Sequence, residues 1–386
     1  MMRSFTYRTK PIMPNTPPLC QWTHQGQSYS APWRSQTGAH CPKRLVVADE
    51  HLRADDAYRL ACEGTGLVWQ GDYHNARRLL QAITRRLDRK APPPASTPEA
   101  AFIQQRRAHA HRNRILGMLL LQFNADHQLN LPRAPDVQAA CTAAHGPVSS
   151  AYLSPLRELL GIIGAYEWYK KGVHIPALNA HIHPHYGVFA PIRSEYIDLV
   201  VQTPLPSKTL AFDIGTGTGV LAAVLASRGV KKVIATDNAP RALACAQENI
   251  QRLGLAARIE LLEADLFPPG QADLIVCNPP WVPAHVHSLL DQAVYDPNSQ
   301  MLQGFLKGLS AHLTPQGEGW LILSDLAEHL HLRTPNALQE WIAQAGLKVR
   351  AKKSIPPRHP KARDQTDPLH QARAKEHTFL WQLVKA

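Results

Sequence analysis

The sequence predicts an α/β fold: a seven-stranded, mostly parallel sheet with helices on both faces over residues 176–386. A helical N-terminal domain is expected over 46–175, and a disordered arm over 1–45. Three observations carry this reading. Short apolar runs alternate with helical stretches from about residue 176 onward, the last two runs have no helix between them, and acids or glycines close successive runs.

Residues 1–45 are rich in Pro, Ser, Thr and Gln and show no hydrophobic periodicity, the composition of a chain that buries too little to order itself. The first 48 residues hold six Lys and Arg and no acid. A transit peptide shares that pattern, but the prolines and the missing apolar stretch favour a plain disordered arm. Helical spacing begins with "DDAYRLACEG" and "YHNARRLLQAITRRL". "APPPASTP" (91–98) reads as a linker, and a longer helix starts at Pro98 and Glu99. Its apolar end, "RILGMLLLQF" (114–123), reads as buried helix, and "SPLRELLGIIGAYEWYKK" (154–171) as another. No internal repeat is present.

Beyond residue 176 the strands are "LAFDIG", "KVIATD", "IELLEAD", "ADLIVCN", "GWLILSD", "KVRAKKSI" and "HTFLWQLVK". Near-continuous apolar strands alternating with helices indicate a parallel sheet covered on both faces. The final strand follows its predecessor without a helix, so it pairs antiparallel. Ligands of such sheets bind at the carboxyl ends of the strands, where the chemistry is to be sought.

Composition narrows the classes. Lys and Arg (42) exceed Asp and Glu (30), giving a net charge of +12. That balance suits an anionic partner, nucleic acid or ribosome, and equally a generally basic soluble protein. The six cysteines (20, 41, 62, 141, 245, 277) include no Cys-x-x-Cys pair. Their scatter argues against a disulfide framework or a zinc site and for a reducing compartment, the cytoplasm. No apolar run reaches the roughly 18 residues of a membrane-spanning helix, so no membrane partner is expected.

The first strand ends in "FDIGTGTG". Gly215, Gly217 and Gly219 let the chain turn sharply and a ligand approach the backbone. A dinucleotide fingerprint requires a glycine three residues after Gly217, but Val220 stands there. Asp237 closes the second strand, 22 residues after Gly215, where a carboxylate can accept from ribose hydroxyls. Asp265, in "EADLF", closes the third and can accept from an adenine amino group. Three acids around one crevice repel a pyrophosphate and attract a cationic sulfonium nucleoside. Taken singly, Asp213 could be a helix cap and Asp265 a turn acid; three independent turns have no reason to aim acids at one point.

"FDIGTGTG", "TDNA", "EADLF" and "CNPPW", in this order, resemble the motifs of class I S-adenosyl-L-methionine (SAM)-dependent methyltransferases. The Asn-Pro-Pro-aromatic type resembles release-factor glutamine N5-methyltransferases and N6-adenine methyltransferases over roughly residues 185–386. The resemblance implies a Rossmann-like seven-stranded methyltransferase sheet and SAM as cofactor. It implies that Asp213, Gly215, Thr216, Gly217 and Gly219 hold the methionine part. Asp237 would hold the ribose and Asp265 the adenine, with Asn238, Leu266 and Asn278 also expected at the cofactor.

Two prolines after "VCN" end a strand, since neither donates to a ladder. The short amide before them and the aromatic after them point to more than a turn. An amide nitrogen or an exocyclic amine is a weak nucleophile, because its lone pair is delocalised. It must be held about 3–3.5 Å from the methyl carbon with acceptors on its N–H groups. The Asn278 side-chain oxygen can be one acceptor; the Pro279 carbonyl, as the resemblance implies, is the other. Pro280 stiffens the turn and Trp281 stacks on the planar group. The family more often has Tyr at that position. Cys277 reads as a buried strand residue.

Upstream, "HPHYGVFAPIRSEYIDLV" (183–200) resembles the family segment that folds over the cofactor, with Phe189 and Arg193 among the matching positions. Tyr186 and Phe189 line the pocket or belong to ordinary core. The alternating histidines of "HIHPH" (181–185) lack a nearby Cys or acid to complete a metal site, so a solvated loop is expected and no metal. "VRAKKSIPPRHPKARDQTDPLHQARAK" (349–375) carries many bases on the expected cofactor side of the sheet, a grip for nucleic acid or a flexible loop. The first substrate expected is therefore a glutamine amide in a protein of the translation machinery. A base of ribosomal RNA is the second, and a non-catalytic SAM- or RNA-binding module the third.

Overall fold

Strands and helices follow one another through the described residues, including those of the N-terminal region expected to be helical. The computed structural model describes residues 17–89, 95–286, 289–358 and 360–386. It divides the chain into one unit of residues 1–91 and 111–161 and a second of 92–110 and 162–386. Among the described residues no helix is long and apolar enough to cross a membrane.

The first unit opens with a hairpin, β1 (Leu19–His24) and β2 (Gln27–Pro32), turning through Gln25 and Gly26, both at positive φ. This pair of left-handed residues matches the strand twist, as tight hairpins require. The disordered arm expected over 1–45 is thus corrected for 17–45, while residues 1–16 lie outside the described residues. Cys20 and Trp22 of β1 are buried with Trp33, Val68, Leu120 and Leu153. Cys20 is joined to Cys41 in a disulfide. That corrects the expectation of no disulfide: the bond links residues 21 apart, a spacing that carries no motif signal. Cys62, Cys141, Cys245 and Cys277 are free.

Next come β3 (Arg44–Ala48), α1 (Ala54–Cys62), β4 (Thr65–Trp69), α2 (Tyr73–Leu87), α3 (Pro98–Leu116), β5 (Leu119–Phe123), α4 (Gln138–His145), β6 (Tyr152–Pro155) and α5 (Leu156–Lys171). The sheet order is β3-β4-β5-β6, parallel except for β6. The unit is therefore α/β rather than helical. The apolar run at 114–123 is split, with α3 ending at Leu116 and the rest forming β5. Four of the linker residues, 91–94, lie outside the described residues. The change of unit falls inside α3, after Ala110, and inside α5, after Gly161, rather than at residue 175.

The second unit starts with the small hairpin β7 (Val173–Ile175) and β8 (Ala180–Ile182), then α6 (Glu195–Gln202). The main elements follow: β9 (Leu210–Ile214), α7 (Val220–Ser227), β10 (Lys232–Asp237), α8 (Pro240–Arg252), β11 (Ile259–Glu263) and β12 (Ala272–Cys277). After them come α9 (Leu289–Gln292), α10 (Gln300–His312), β13 (Leu313–Ser324), α11 (Leu326–His329), α12 (Ala337–Gln344), β14 (Leu347–Ile355), α13 (His370–Lys375) and β15 (Thr378–Lys385). Seven strands form one sheet in the order β11-β10-β9-β12-β13-β15-β14. All neighbours are parallel except β15, which runs antiparallel to both β13 and β14. These are the strand number and directions the sequence predicts, but the expectation of no helix before the last strand is corrected, since the short helix α13 stands between β14 and β15.

Alternation along the strands divides the core into two faces. Ala211, Leu274, Val276, Trp320 and Ile322 pack with α6, α7 and α8 on one face. Phe212, Ile214, Ile275, Cys277, Leu321 and Leu323 pack with α10 and α12 on the other. The order of connection reverses between β9 and β12, the place where a crevice opens at the carboxyl ends. Register sets Cys277 opposite Ile214, so Asn278 and Gly215 leave the sheet side by side.

Candidate active site

The loop leaving β9 is shaped by its glycines. Gly215, Gly217 and Gly219 have φ of 71°, 54° and 81°, where a side chain is strained. A Cβ at Gly215 would stand 2.7 Å from Met301 Cε, and one at Gly219 3.2 Å from Ala246 Cβ. At Gly217 nothing lies within 4 Å. Gly217 is the open crest of the loop, where a ligand can lie against backbone.

Asp213 is buried beneath that loop. Its Oδ2 accepts from Thr216 Oγ1 at 2.7 Å and from the Ala222 N–H of α7 at 3.0 Å. Burial pushes its carboxyl up to about 6; those two hydrogen bonds oppose the rise, and the charge of Asp237 adds to it. Asp237 accepts from the Gly217 N–H at 3.0 Å and from the Ala239 N–H at 3.0 Å. Burial raises its pKa also. Among the described residues neither carboxylate has an ion-pair partner, so the site favours a cation. Asp265 is exposed beyond the end of β11. Beside it Leu266, at φ 72°, accepts from Thr236 Oγ1 through its carbonyl, and Asn238 is exposed after β10. A buried and a half-buried carboxylate, an open glycine and an exposed acid at adjacent strand ends fit a cationic nucleoside such as SAM.

Asn278 follows buried Cys277, and the Trp281 indole N–H donates to its Oδ1 at 2.8 Å. Indole nitrogen only donates, so the amide must turn its oxygen towards the ring. Over Trp281 lies the Arg193 guanidinium, its Cζ 5.1 Å from the ring centroid. Arg193 Nη2 donates to Glu376 Oε1 at 3.1 Å, and Ser324 Oγ to the same oxygen at 2.7 Å. The Glu376 side chain is only 3% exposed. Displacing Arg193 would strand a buried carboxylate, at a cost of about 3–5 kcal/mol. Arg193 is therefore a fixed cover on Trp281.

Beyond the turn, the Asp296 N–H donates to the Val282 carbonyl at 2.9 Å, and the buried Asp296 carboxylate accepts from Met301 and Leu302 N–H at 3.0 Å each. Helix α3 reaches this segment from far away in sequence. Phe102 packs near Tyr295, and Arg106 lies 3.9 Å from the Tyr295 ring and donates to the His285 carbonyl at 2.6 Å. The sequence offered one faint signal for Asp296, an acid shortly before an apolar helix. For Glu376, Ser324 and Arg106 it offered none.

Phe189 is half-buried in the segment leading to α6, and Pro279 is buried while Pro280 is half-buried. The Tyr186 carbonyl accepts from Arg241 Nη1 at 3.0 Å, which ties the segment to the start of α8. The histidines are not a solvated loop. His183 Nδ1 meets the Tyr169 carbonyl at 2.7 Å, and His185 Nε2 meets Glu248 Oε2 at 2.7 Å. Burial alone would raise Glu248, but hydrogen bonds from Tyr169, His185 and Arg252 hold it down to about 2. No metal-binding cluster occurs among the described residues.

The basic segment runs along β14 and leaves the sheet at the same end as Ser324, since Ile355 and Ser324 both pair with Thr378. Many of its charges are used internally. Arg350 pairs with Glu318, and Lys352 sits 3.8 Å from the Phe379 ring and 4.1 Å from that of Trp381. Lys353 bonds the Gln202 carbonyl, Arg358 bonds Asp198, and Arg373 pairs with Asp367. Lys361, Arg363 and Lys375 are exposed.

Residues 179–353 match the family model of the methyltransferase small domain. The second unit is a class I methyltransferase domain. The chain is 40% identical over 119 residues to a release factor glutamine methyltransferase of Cereibacter sphaeroides, covering 27% of this chain and 43% of that protein. It is 40% identical over 124 residues to one of Moorella thermoacetica, covering 31% and 44%. With one of Mycolicibacterium smegmatis it shares 28% over 195 residues, covering 47% and 64%. In each case the chain spans less than two thirds of the relative's own length.

Proposed function

We propose that this chain is a SAM-dependent N-methyltransferase whose acceptor is the side-chain amide of a glutamine in a protein of the translation machinery, and so a cytoplasmic protein. The observation that carries the reading is the juxtaposition of the Asn278–Trp281 turn and the Gly215–Gly219 loop on paired strands. SAM, when bound, supplies an electrophilic methyl group. Asp213, Thr216 and Gly217 would hold its methionine part, Asp237 its ribose and Asp265 its adenine.

The remaining work falls to the turn. Asn278 Oδ1 has two lone pairs; Trp281 takes one, which leaves the other for an acceptor N–H. The Pro279 carbonyl takes the second N–H, and the paired prolines keep it fixed, so little reorganisation accompanies reaction. The nitrogen becomes acidic only as its lone pair is committed, so hydrogen-bond acceptors suffice without a strong base.

A glutamine acceptor is favoured over an RNA base by two facts. Relatives 40% identical over 119 and 124 residues are named release factor glutamine methyltransferases. Five bases of 349–375 are held in contacts within the chain. The test is to incubate the protein and methyl-labelled SAM with extract of cells lacking it, then digest with RNase or protease. Label released by protease and kept through RNase is expected; label lost to RNase would overturn the glutamine reading.

A further inference from the structure

A stacking platform needs a flat ring and nothing more. Trp281 is held more tightly than that. Its N–H is spent on Asn278 Oδ1, and one face is covered by Arg193. Three separate elements meet at this point. Arg193 comes from the segment before α6, Ser324 from the end of β13, and Glu376 from the residue pair before β15. Ser324 is itself fixed, accepting from the Leu326 N–H at 3.0 Å while donating to Glu376.

The Arg193 Nε–H is buried with no partner among the described residues. The position of Arg193 follows the ring on one side and the Glu376 carboxylate on the other. The consequence falls on Asn278. The terminal torsion of an asparagine is broad and roughly two-fold, so its oxygen and nitrogen readily exchange places. An exchanged amide would present donors where an acceptor N–H needs an oxygen. Only a fixed, donor-only neighbour prevents this.

We infer that Glu376 and Arg193 are positioning residues, which act through Trp281 to keep the Asn278 oxygen turned to the acceptor nitrogen. The inference rests on the N-methyltransferase reading above for its effect on rate, but its structural part is measurable without turnover.

The test uses the full chain and the variants R193K, R193M, E376Q and W281F, with purified bacterial release factor as acceptor. Eight tryptophans give eight indole N–H signals in a nitrogen–proton spectrum, and the one lost in W281F is that of Trp281. In R193M and E376Q that signal should move and exchange faster with solvent, while the other seven hold. A misplaced Asn278 should lower kcat by about 10- to 100-fold with KM for SAM unchanged. R193K keeps the charge opposite Glu376, so it should remain folded and recover most of the indole shift and of kcat. A Trp281 signal unmoved in folded R193M and E376Q would overturn the inference. So would an equal loss of SAM affinity in R193K, which would mark a merely structural role. If the wild type fails to methylate release factor, the substrate reading falls, and the indole shifts still decide the positioning claim.

Discussion

Asn278 has one lone pair committed to Trp281 and one left for the acceptor, so its replacement should separate binding from chemistry. Asn278→Ala should lower kcat by about 10²–10³-fold, the scale of losing one preorganised polar group. SAM affinity by titration calorimetry should stay within a few-fold. A loss of affinity as large as the loss of rate would contradict the assignment. Asp213 carries the pH dependence. Burial raises its pKa from 3.8 to about 6, so between about pH 4 and 6 the native chain holds a proton that the unfolded chain has released. Stability from this group therefore falls as pH rises through that window, by about 3 kcal/mol in all, and is level above it. Asp213→Asn should remove this component, read as the difference between urea unfolding at low and neutral pH. Because a cation favours the ionised form, SAM affinity of the wild type should rise as pH climbs through about 6. A flat profile would contradict the placement of Asp213 beside the cofactor.

Among the elements, the glycine loop separates tolerance of the fold from tolerance of the ligand. Gly217→Ala meets no protein atom, so its cost to the fold is the left-handed backbone strain alone, about 1–2 kcal/mol. It should nevertheless weaken SAM more than tenfold, because the added methyl stands where the ligand approaches backbone; unchanged affinity would move the cofactor elsewhere. These elements were legible in the sequence because their chemistry is local. A strand end and the acid, glycine or amide that closes it stand together in consecutive residues, as in "FDIGTGTG" and "CNPPW". The strands of the first unit were not legible. Those of "TGLVW" and "LLLQF" are buried throughout or nearly so, and a short apolar run without alternation reads equally well as helix. The wall around Trp281 was hidden for another reason. Arg193, Ser324 and Glu376 meet only through the order in which β13, β15 and β14 assemble, and no spacing encodes that. The histidines of "HIHPH" misled because their partners, Tyr169 and Glu248, lie 14 and 63 residues away from the residues they bind.

For the whole molecule, a net charge of +12 suggested a nucleic-acid partner, yet charge matters only where it is free. With Arg350, Lys352, Lys353, Arg358 and Arg373 engaged internally, a protein acceptor should be modified with weak salt dependence. A grip on several phosphates would instead lose about 10³-fold or more in affinity between roughly 50 and 200 mM salt. KM for release factor across that range distinguishes the two. Methyl transfer to a glutamine amide through the Asn278 turn is decided by peptide mass spectrometry. Purified release factor would be incubated with SAM and either the wild-type chain or Asn278→Ala. A single added methyl group on a glutamine side-chain nitrogen is expected with the wild type and none with the variant. A methyl group on another residue type, or equal modification by both proteins, would contradict it.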